Sequence, residues 1–315
     1  MKLRKNSKIF LAGHNGMVGS SIKTYFEKKK YNNIITINKS ELNLVNQQQT
    51  INFLKKIKPQ FVIIAAAKVG GILANDTKKA EFIYENLMIQ TNLIHASYQV
   101  GVKNLIFLGS SCIYPKLAIQ PIKEDYLLSG KLEPTNDSYA IAKIAGIKMC
   151  QSYNDQYGLN YLCLMPTNLY GPNDNYDLYN SHFFPALIRK IHDAKINNKK
   201  ELVLWGNGKA KRELLYVEDL ADACEFFLKK NTKHTLINIG SGEEKTIKNF
   251  AKFIMKKINL NLKINFKRNM PNGSPRKKLD LSIAKSYGWK SKISLKKGFD
   301  LTYSDFLENY SVGKF

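Results

Sequence analysis

Five short apolar runs, separated by helix-length stretches, constrain what this chain can fold into more than any other feature. The runs are Lys8–Ala12, Ile34–Ile37, Phe61–Ala67, Asn104–Leu108 and Tyr161–Met165. Amphipathic stretches lie between them, near Gln47–Ile57, Ala80–Gln99 and Tyr139–Tyr157, and a helical segment leads up to about Lys29. A strand that is apolar at every position has both faces buried. Strands joined through helices pair in parallel. The pattern predicts an α/β fold with a Rossmann-type doubly wound parallel sheet. After Asn168 the pattern changes: Tyr170-Gly-Pro172 reads as a turn, 173–180 as a polar loop, and a helix starts near Phe183. Leu202–Leu204, Val217–Leu228 and Leu236–Ile239 read as strand, helix and strand, and Pro271-Asn-Gly-Ser-Pro275 as a turn-rich stretch. The expected organisation is a cofactor-binding domain over 1–168, with 217–240 returning to its sheet. A smaller mixed C-terminal lobe, mainly 169–315, is expected to bind substrate.

Composition narrows the function classes. No apolar run is long enough to span a bilayer, and the basic Met1–Lys5 leads into a strand rather than a cleavable signal. The chain is therefore expected to be cytoplasmic, with no membrane partner. A net charge of +24 would suit nucleic acid, but the lysines are spread along the whole chain. The expectation is no nucleic-acid partner and a surface that attracts a nucleotide diphosphate. Cys112, Cys150, Cys163 and Cys224 form no CxxC and no cluster with histidine, which points to free thiols and no metal.

Gly13-x-x-Gly16-x-x-Gly19 lies between the first strand and its helix. In that context glycines allow a tight turn and close approach of the backbone to a pyrophosphate, and the helix N-terminus adds N–H donors and a positive dipole. Asn38-Lys39-Ser40 follows the second strand, where NAD binders place a carboxylate about 20 residues on. With no carboxylate there, Lys39 can pair with a 2′-phosphate, which favours NADP(H). Tyr139 and Lys143 stand four apart on a predicted helix and share a face. The lysine's charge favours the phenolate, so a group with an ordinary pKa of about 10 becomes usable in proton transfer.

Together with Ser110-Ser111-Cys112 after the fourth strand, these features resemble the extended short-chain dehydrogenase/reductase superfamily. More narrowly, the chain is similar to the GDP-L-fucose synthase family of 3,5-epimerase-4-reductases. The resemblance runs through Ala12–Gly19, Ala65-Ala-Ala-Lys-Val-Gly-Gly-Ile72, Leu108-Gly-Ser-Ser-Cys-Ile-Tyr-Pro115, Glu133-Pro-Thr-Asn136, Tyr139–Gly146 and Met165–Pro172. Asn180-Ser-His182, Trp205-Gly206, Lys211-Arg-Glu213 and Gly273-Ser-Pro-Arg-Lys277 extend it over nearly the whole chain. It implies NADPH, the substrate GDP-4-keto-6-deoxy-D-mannose, and a homodimer. Cofactor contacts are implied at Gly13, Asn15, Gly16, Met17, Val18, Gly19, Lys39, Ala65, Lys143 and His182. Asn15 replaces the family's common arginine, which leaves Lys39 more of the 2′-phosphate task.

The implied chemistry begins with a C4 ketone that acidifies the protons on C3 and C5. Cys112 and His182 match the family's acid–base pair. With ordinary pKa values of about 8.5 and about 6.5, thiol and imidazole can exchange protons near neutrality. Tyr139 and Ser110 would hold O4 and stabilise an enolate. Lys143 would bind the nicotinamide ribose and lower the tyrosine pKa. Asn168, Lys190, Trp205, Arg212 and Arg276 are the implied substrate contacts, with Lys190 where the family often has arginine. A different nucleotide-sugar 4-keto reductase, an epimerase-reductase acting at one centre, and a non-catalytic NADP-binding module are the alternatives.

Overall fold

The computed structural model describes residues 2–267 and 274–313. Of the turn-rich stretch, Pro271 to Gly273 lies outside the described residues. Six strands, β1 (Ile9–Ala12), β2 (Ile34–Ile35), β3 (Phe61–Ile64), β4 (Asn104–Leu108), β5 (Asn160–Pro166) and one supplied much later, form a parallel sheet. Between them run α1 (Met17–Lys28), α2 (Gln47–Ile57), α3 (Ile72–Thr77), α4 (Lys79–Gln99) and α5 (Asp137–Tyr157). The chain continues through β6 (Asn168–Tyr170), α6 (Phe183–Ile196), β7 (Glu201–Trp205), β8 (Lys211–Tyr216), α7 (Val217–Leu228) and β9 (Leu236–Ile239). It closes with β10 (Glu244–Thr246), α8 (Ile247–Lys257), β11 (Lys263–Lys267), β12 (Arg276–Lys277), α9 (Ser282–Ser286) and α10 (Leu295–Ser311). The late strand is β9: the sheet order is β2-β1-β3-β4-β5-β9, every pair parallel.

The all-apolar runs are explained by the two layers they serve. Ile9 and Leu11 of β1, with Phe61 and Ile63 of β3, pack against Ile22 and Phe26 of α1 and Leu220 and Phe227 of α7. The alternate residues Phe10, Ala12, Val62 and Ile64 pack against Leu93 and Ile94 of α4 and Ile144 and Ile147 of α5. Side chains alternate along a strand, so both sets must be apolar. A third core joins Tyr170, α6, β7, β8, α8 and α10. At its edge β8 pairs β10 antiparallel and β12 and β6 in parallel, while β7 and β11 pair with each other.

Three strands are shorter than expected, β1 by its first residue. β2 keeps two residues, and β3 ends at Ile64 because Ala65–Ala67 swing past the first glycine turn. Among the described residues no helix is long and apolar enough to cross a membrane.

Candidate active site

The strand order reverses beside β1, and open parallel sheets bind ligands outside the carboxyl ends of the strands at such a point. A cavity of about 740 Å³ opens there. A side chain at Gly13, which has φ +89°, would meet the Ala66 nitrogen at 2.5 Å. One at Gly19 would meet the Gly13 carbonyl oxygen at 2.0 Å. Only glycine lets the turn lie against both Ala66 and its own helix. Gly16 precedes α1, whose first turn has no acidic residue, so its N-terminal dipole faces the cavity uncompensated. These residues fit a dinucleotide. Gly13, Asn15, Gly16, Met17, Val18, Gly19, Lys39, Ala65, Lys143 and His182 all line this one cavity.

Past the end of β2 an exposed carboxylate, Glu41, folds back on the turn without lining the cavity: it accepts from the Asn38 side chain at 2.8 Å and the Asn38 backbone N–H at 3.2 Å. Asn38 in turn accepts from Asn15 at 3.0 Å. Glu41 is three residues past the position where sequence reasoning looked, and the turn at 38–42 brings it back. The Lys39 ammonium lies 4.0 Å from Glu85 and is 86% exposed, so it is held loosely.

Tyr139 and Lys143 stand one turn apart on α5, with Tyr139 edge-on to Phe82 at a centroid distance of 6.2 Å. Lys143 is buried, donates to the Leu108 carbonyl oxygen at 3.0 Å and lies over the Phe107 ring at 4.7 Å. Burial pushes its pKa down to about 8. Its ammonium is 5.8 Å from the centre of the Tyr139 ring. The expectation that the lysine lowers the tyrosine pKa is not what this arrangement gives. Burial, then the Cys112 thiol, pushes the Tyr139 hydroxyl above its ordinary range. The lysine is itself desolvated and committed to a carbonyl. A protonated phenol is the form that donates to a ketone oxygen.

Ser110 caps the short 3₁₀ turn Ser111–Ile113, and its Oγ accepts from the Cys112 N–H at 3.4 Å. Burial raises the Cys112 thiol, while Lys277, Ser110 and Lys143 act to lower it. His182 is the residue before α6. It lines the cleft, and surrounding protein desolvates its ring. That desolvation, and then Lys277, holds its pKa below the ordinary value. A thiol kept protonated and an imidazole kept neutral form an acid and a base.

Lys277 is the functional candidate that sequence reasoning missed. It pairs with Arg212 across β12 and β8, whereas Arg276 pairs with Lys211. Lys277 and Arg212 repel each other, and both are drawn toward Glu133, which is 92% buried. Glu133 has its ion-pair partner in Lys116, at 3.1 Å. Arg276 is placed differently: Glu244 clamps its guanidinium at 2.8 and 2.5 Å. The signal was present in the motif Gly273–Lys277, whose Gly273 lies outside the described residues. Only strand register says which of two adjacent cations turns inward.

The remaining expected contacts divide. Asn168 lines the cavity, but its amide N–H donates to the Glu213 carbonyl oxygen at 3.0 Å. Lys190 and Trp205 meet each other, ammonium over ring at 5.0 Å, away from the cavity walls. Glu213, fully buried, accepts the N–H groups of Gly242 and Leu279 at 2.7 and 3.1 Å and so ties β8 to the following segments. Among the described residues no group of His, Cys, Asp or Glu could hold a metal ion.

Comparison with known proteins assigns the chain to a family. The NAD dependent epimerase/dehydratase family profile matches residues 9–240. GDP-L-fucose synthase 1 of Arabidopsis thaliana is 50% identical over 305 residues, 97% of this chain and 94% of that protein. The GDP-L-fucose synthase of Escherichia coli is 47% identical over 311 residues, 96% of this chain and 97% of that one. A solved GDP-mannoheptose C4 reductase from Campylobacter jejuni, with NADP bound, superimposes with a TM-score of 0.88 at 38% identity, covering 97% of this chain and 99% of its own.

Proposed function

The chain belongs to the NAD dependent epimerase/dehydratase family and, within it, to the GDP-L-fucose synthases, and we propose from that premise that it converts GDP-4-keto-6-deoxy-D-mannose to GDP-L-fucose by 3,5-epimerisation and 4-keto reduction. The observation that carries this reading is that one cation, Lys277, acts on both Cys112 and His182, and that the Cys112 thiol acts in turn on Tyr139. The thiol is held protonated and the imidazole neutral. Plain reduction of a ketone needs no such pair.

In this reading His182 takes a proton from carbon beside the ketone and Cys112 returns one on the opposite face. Ser110 and Tyr139 hydrogen-bond O4 and stabilise the enolate, the electrostatic role of an oxyanion site. Tyr139 then gives its proton to O4. NADPH, when bound, supplies the hydride for C4. Arg212 and Lys277 face the diphosphate of the substrate, where paired cations suit adjacent phosphates. Four buried, unpaired thiols suit a reducing cytoplasm. Exposed Tyr84, Ile141 and Tyr157 on α4 and α5 support a homodimer, for which sedimentation is the direct check.

The test is incubation with NADPH and GDP-4-keto-6-deoxy-D-mannose in D2O, with the product read by NMR. The expected product is GDP-L-fucose deuterated at C3 and C5. Cys112→Ala is expected to abolish the label and keep NADPH binding. Reduction without deuterium would make the chain a plain 4-keto reductase and end the roles given to Cys112 and His182.

A further inference from the structure

His182 stands at the end of a loop that lines the cleft; its start is held by Asn173 on Asp305 and by buried Tyr176, and its end, next to His182, by a separate dock. The segment 173–181 winds on Asp177, whose Oδ1 accepts the N–H groups of Tyr179 at 3.0 Å and Asn180 at 2.7 Å and the Asn180 amide at 2.9 Å. The Ser181 N–H returns to the Asp177 carbonyl at 3.1 Å. The loop then docks on the glycine pair after β3. The Gly71 N–H donates to the Asn180 carbonyl oxygen at 2.7 Å. A side chain at Gly71 would lie 2.3 Å from the Ser181 carbonyl oxygen and 3.3 Å from that of Asn180. The glycine pair is held from its other side by buried Asn75, which donates to the Gly70 and Gly71 carbonyls at 2.8 and 3.0 Å. Beyond His182 the chain enters α6, and the Ala186 N–H bonds the His182 carbonyl at 3.1 Å.

We propose that Gly71 is a positioning residue for His182: by docking its bare backbone against Asn180-Ser181 it fixes where the imidazole stands, and so governs proton abstraction but not hydride transfer. The helix behind His182 fixes one end of the residue. The glycine contact fixes the other. Without it the imidazole keeps its chemistry and loses its address. The residues of hydride transfer are anchored elsewhere, Tyr139 and Lys143 on α5 and Ser110 at the end of β4, and none of them touches the loop's glycine dock.

The inference rests on the proposed function, and two half-reactions separate them. Deuterium exchange into GDP-4-keto-6-deoxy-D-mannose, with no reductant present, reads proton abstraction. NADPH formation from GDP-L-fucose and NADP reads hydride transfer without epimerisation. Gly71→Ala forces a methyl group onto a backbone oxygen that cannot swing aside, and a shift of about 1 Å costs about 100-fold. We expect exchange to fall by about that factor while hydride transfer stays within about threefold. Asp177→Ala loosens the same loop from an exposed position and should slow exchange by about tenfold, so it carries the test if Gly71→Ala does not fold. Exchange unchanged in the variants, or both half-reactions falling together, overturns the positioning role. A wild-type chain that exchanges no deuterium overturns the functional reading instead.

Discussion

Lys277 presses Cys112 and His182 in the same electrostatic direction, and their chemistry makes the results opposite. Its cation favours the thiolate and disfavours the imidazolium, so both pKa values are drawn down. Burial then splits them, raising the thiol above 9.0 and lowering the imidazole below 6.5. Between those limits the site holds a neutral base and a protonated acid. Deuterium exchange, followed as kcat/KM, should fall on the acid side as His182 protonates below 6.5 and on the alkaline side as Cys112 ionises above 9.0. Lys277→Met removes the cation and keeps the stem. Its absence raises both pKa values, so both limbs should move to higher pH, by about half a unit to one unit. Limbs that stay put, or move apart, would remove Lys277 from the electrostatics of the pair. Sequence reasoning reached Cys112, His182, Tyr139 and Lys143 because each sits in a local motif. Lys277 depends on the register of β12 against β8, which no local pattern contains.

The same distinction holds for whole elements. α2 begins and ends where its apolar spacing predicts, over Gln47–Ile57, and β4 matches its apolar run residue for residue. The pairing of β7 with β11 is not legible in the sequence, because both strands are short, β11 is polar on one face and β7 turns Val203 and Trp205 outward. The loop over 173–180 reads only as polar, yet it carries a buried carboxyl oxygen. Asp174 Oδ2 has no hydrogen-bond partner, and burial, then Asp305, pushes the group up to about 7 although the N–H of Asn175 opposes the rise. The consequence for stability has a definite sign. Unfolded, Asp174 ionises above its ordinary 3.8; folded, it stays protonated to about 7. The folded chain holds the extra proton in that window, so stability falls as pH rises through it and is flat beyond. Asp174→Asn cannot titrate. Its stability advantage over wild type, from urea midpoints, should grow by up to about 3 kcal/mol between about pH 5 and about pH 8. An advantage independent of pH would mean that the carboxyl is not held protonated by the fold.

At the scale of the molecule, the first half of the chain does not complete its own sheet. Its sixth strand is β9, one helical layer is shared by α1 and α7, and Leu279 and Leu281 fill the layer beneath α4 and α5. A buried polar chain ties the same pieces. Tyr25 of α1 donates to Asp222 at 2.7 Å, Tyr31 donates to Glu225 at 2.8 Å, and Trp289 donates its indole N–H to Asp222 at 3.0 Å. Lys292 closes the group on Asp222. Burying a carboxylate is tolerable only while its partners remain. Asp222, in the second half of the chain, draws them from its beginning and its end. Trp289 is 2% exposed and packs in the core that includes β1 and α1. Trp289→Ala therefore removes packing at a point far in sequence from most of what it supports, at a cost of about 3–5 kcal/mol. Trp289→Phe keeps most of the volume and should cost less, since Tyr25 and Lys292 still serve Asp222. If the sheet and the C-terminal segments are one cooperative unit, urea unfolding of Trp289→Ala followed by far-ultraviolet circular dichroism stays a single transition at a lower midpoint. Two transitions, with the later one at the wild-type midpoint, would mean that the parallel sheet holds without its C-terminal buttress.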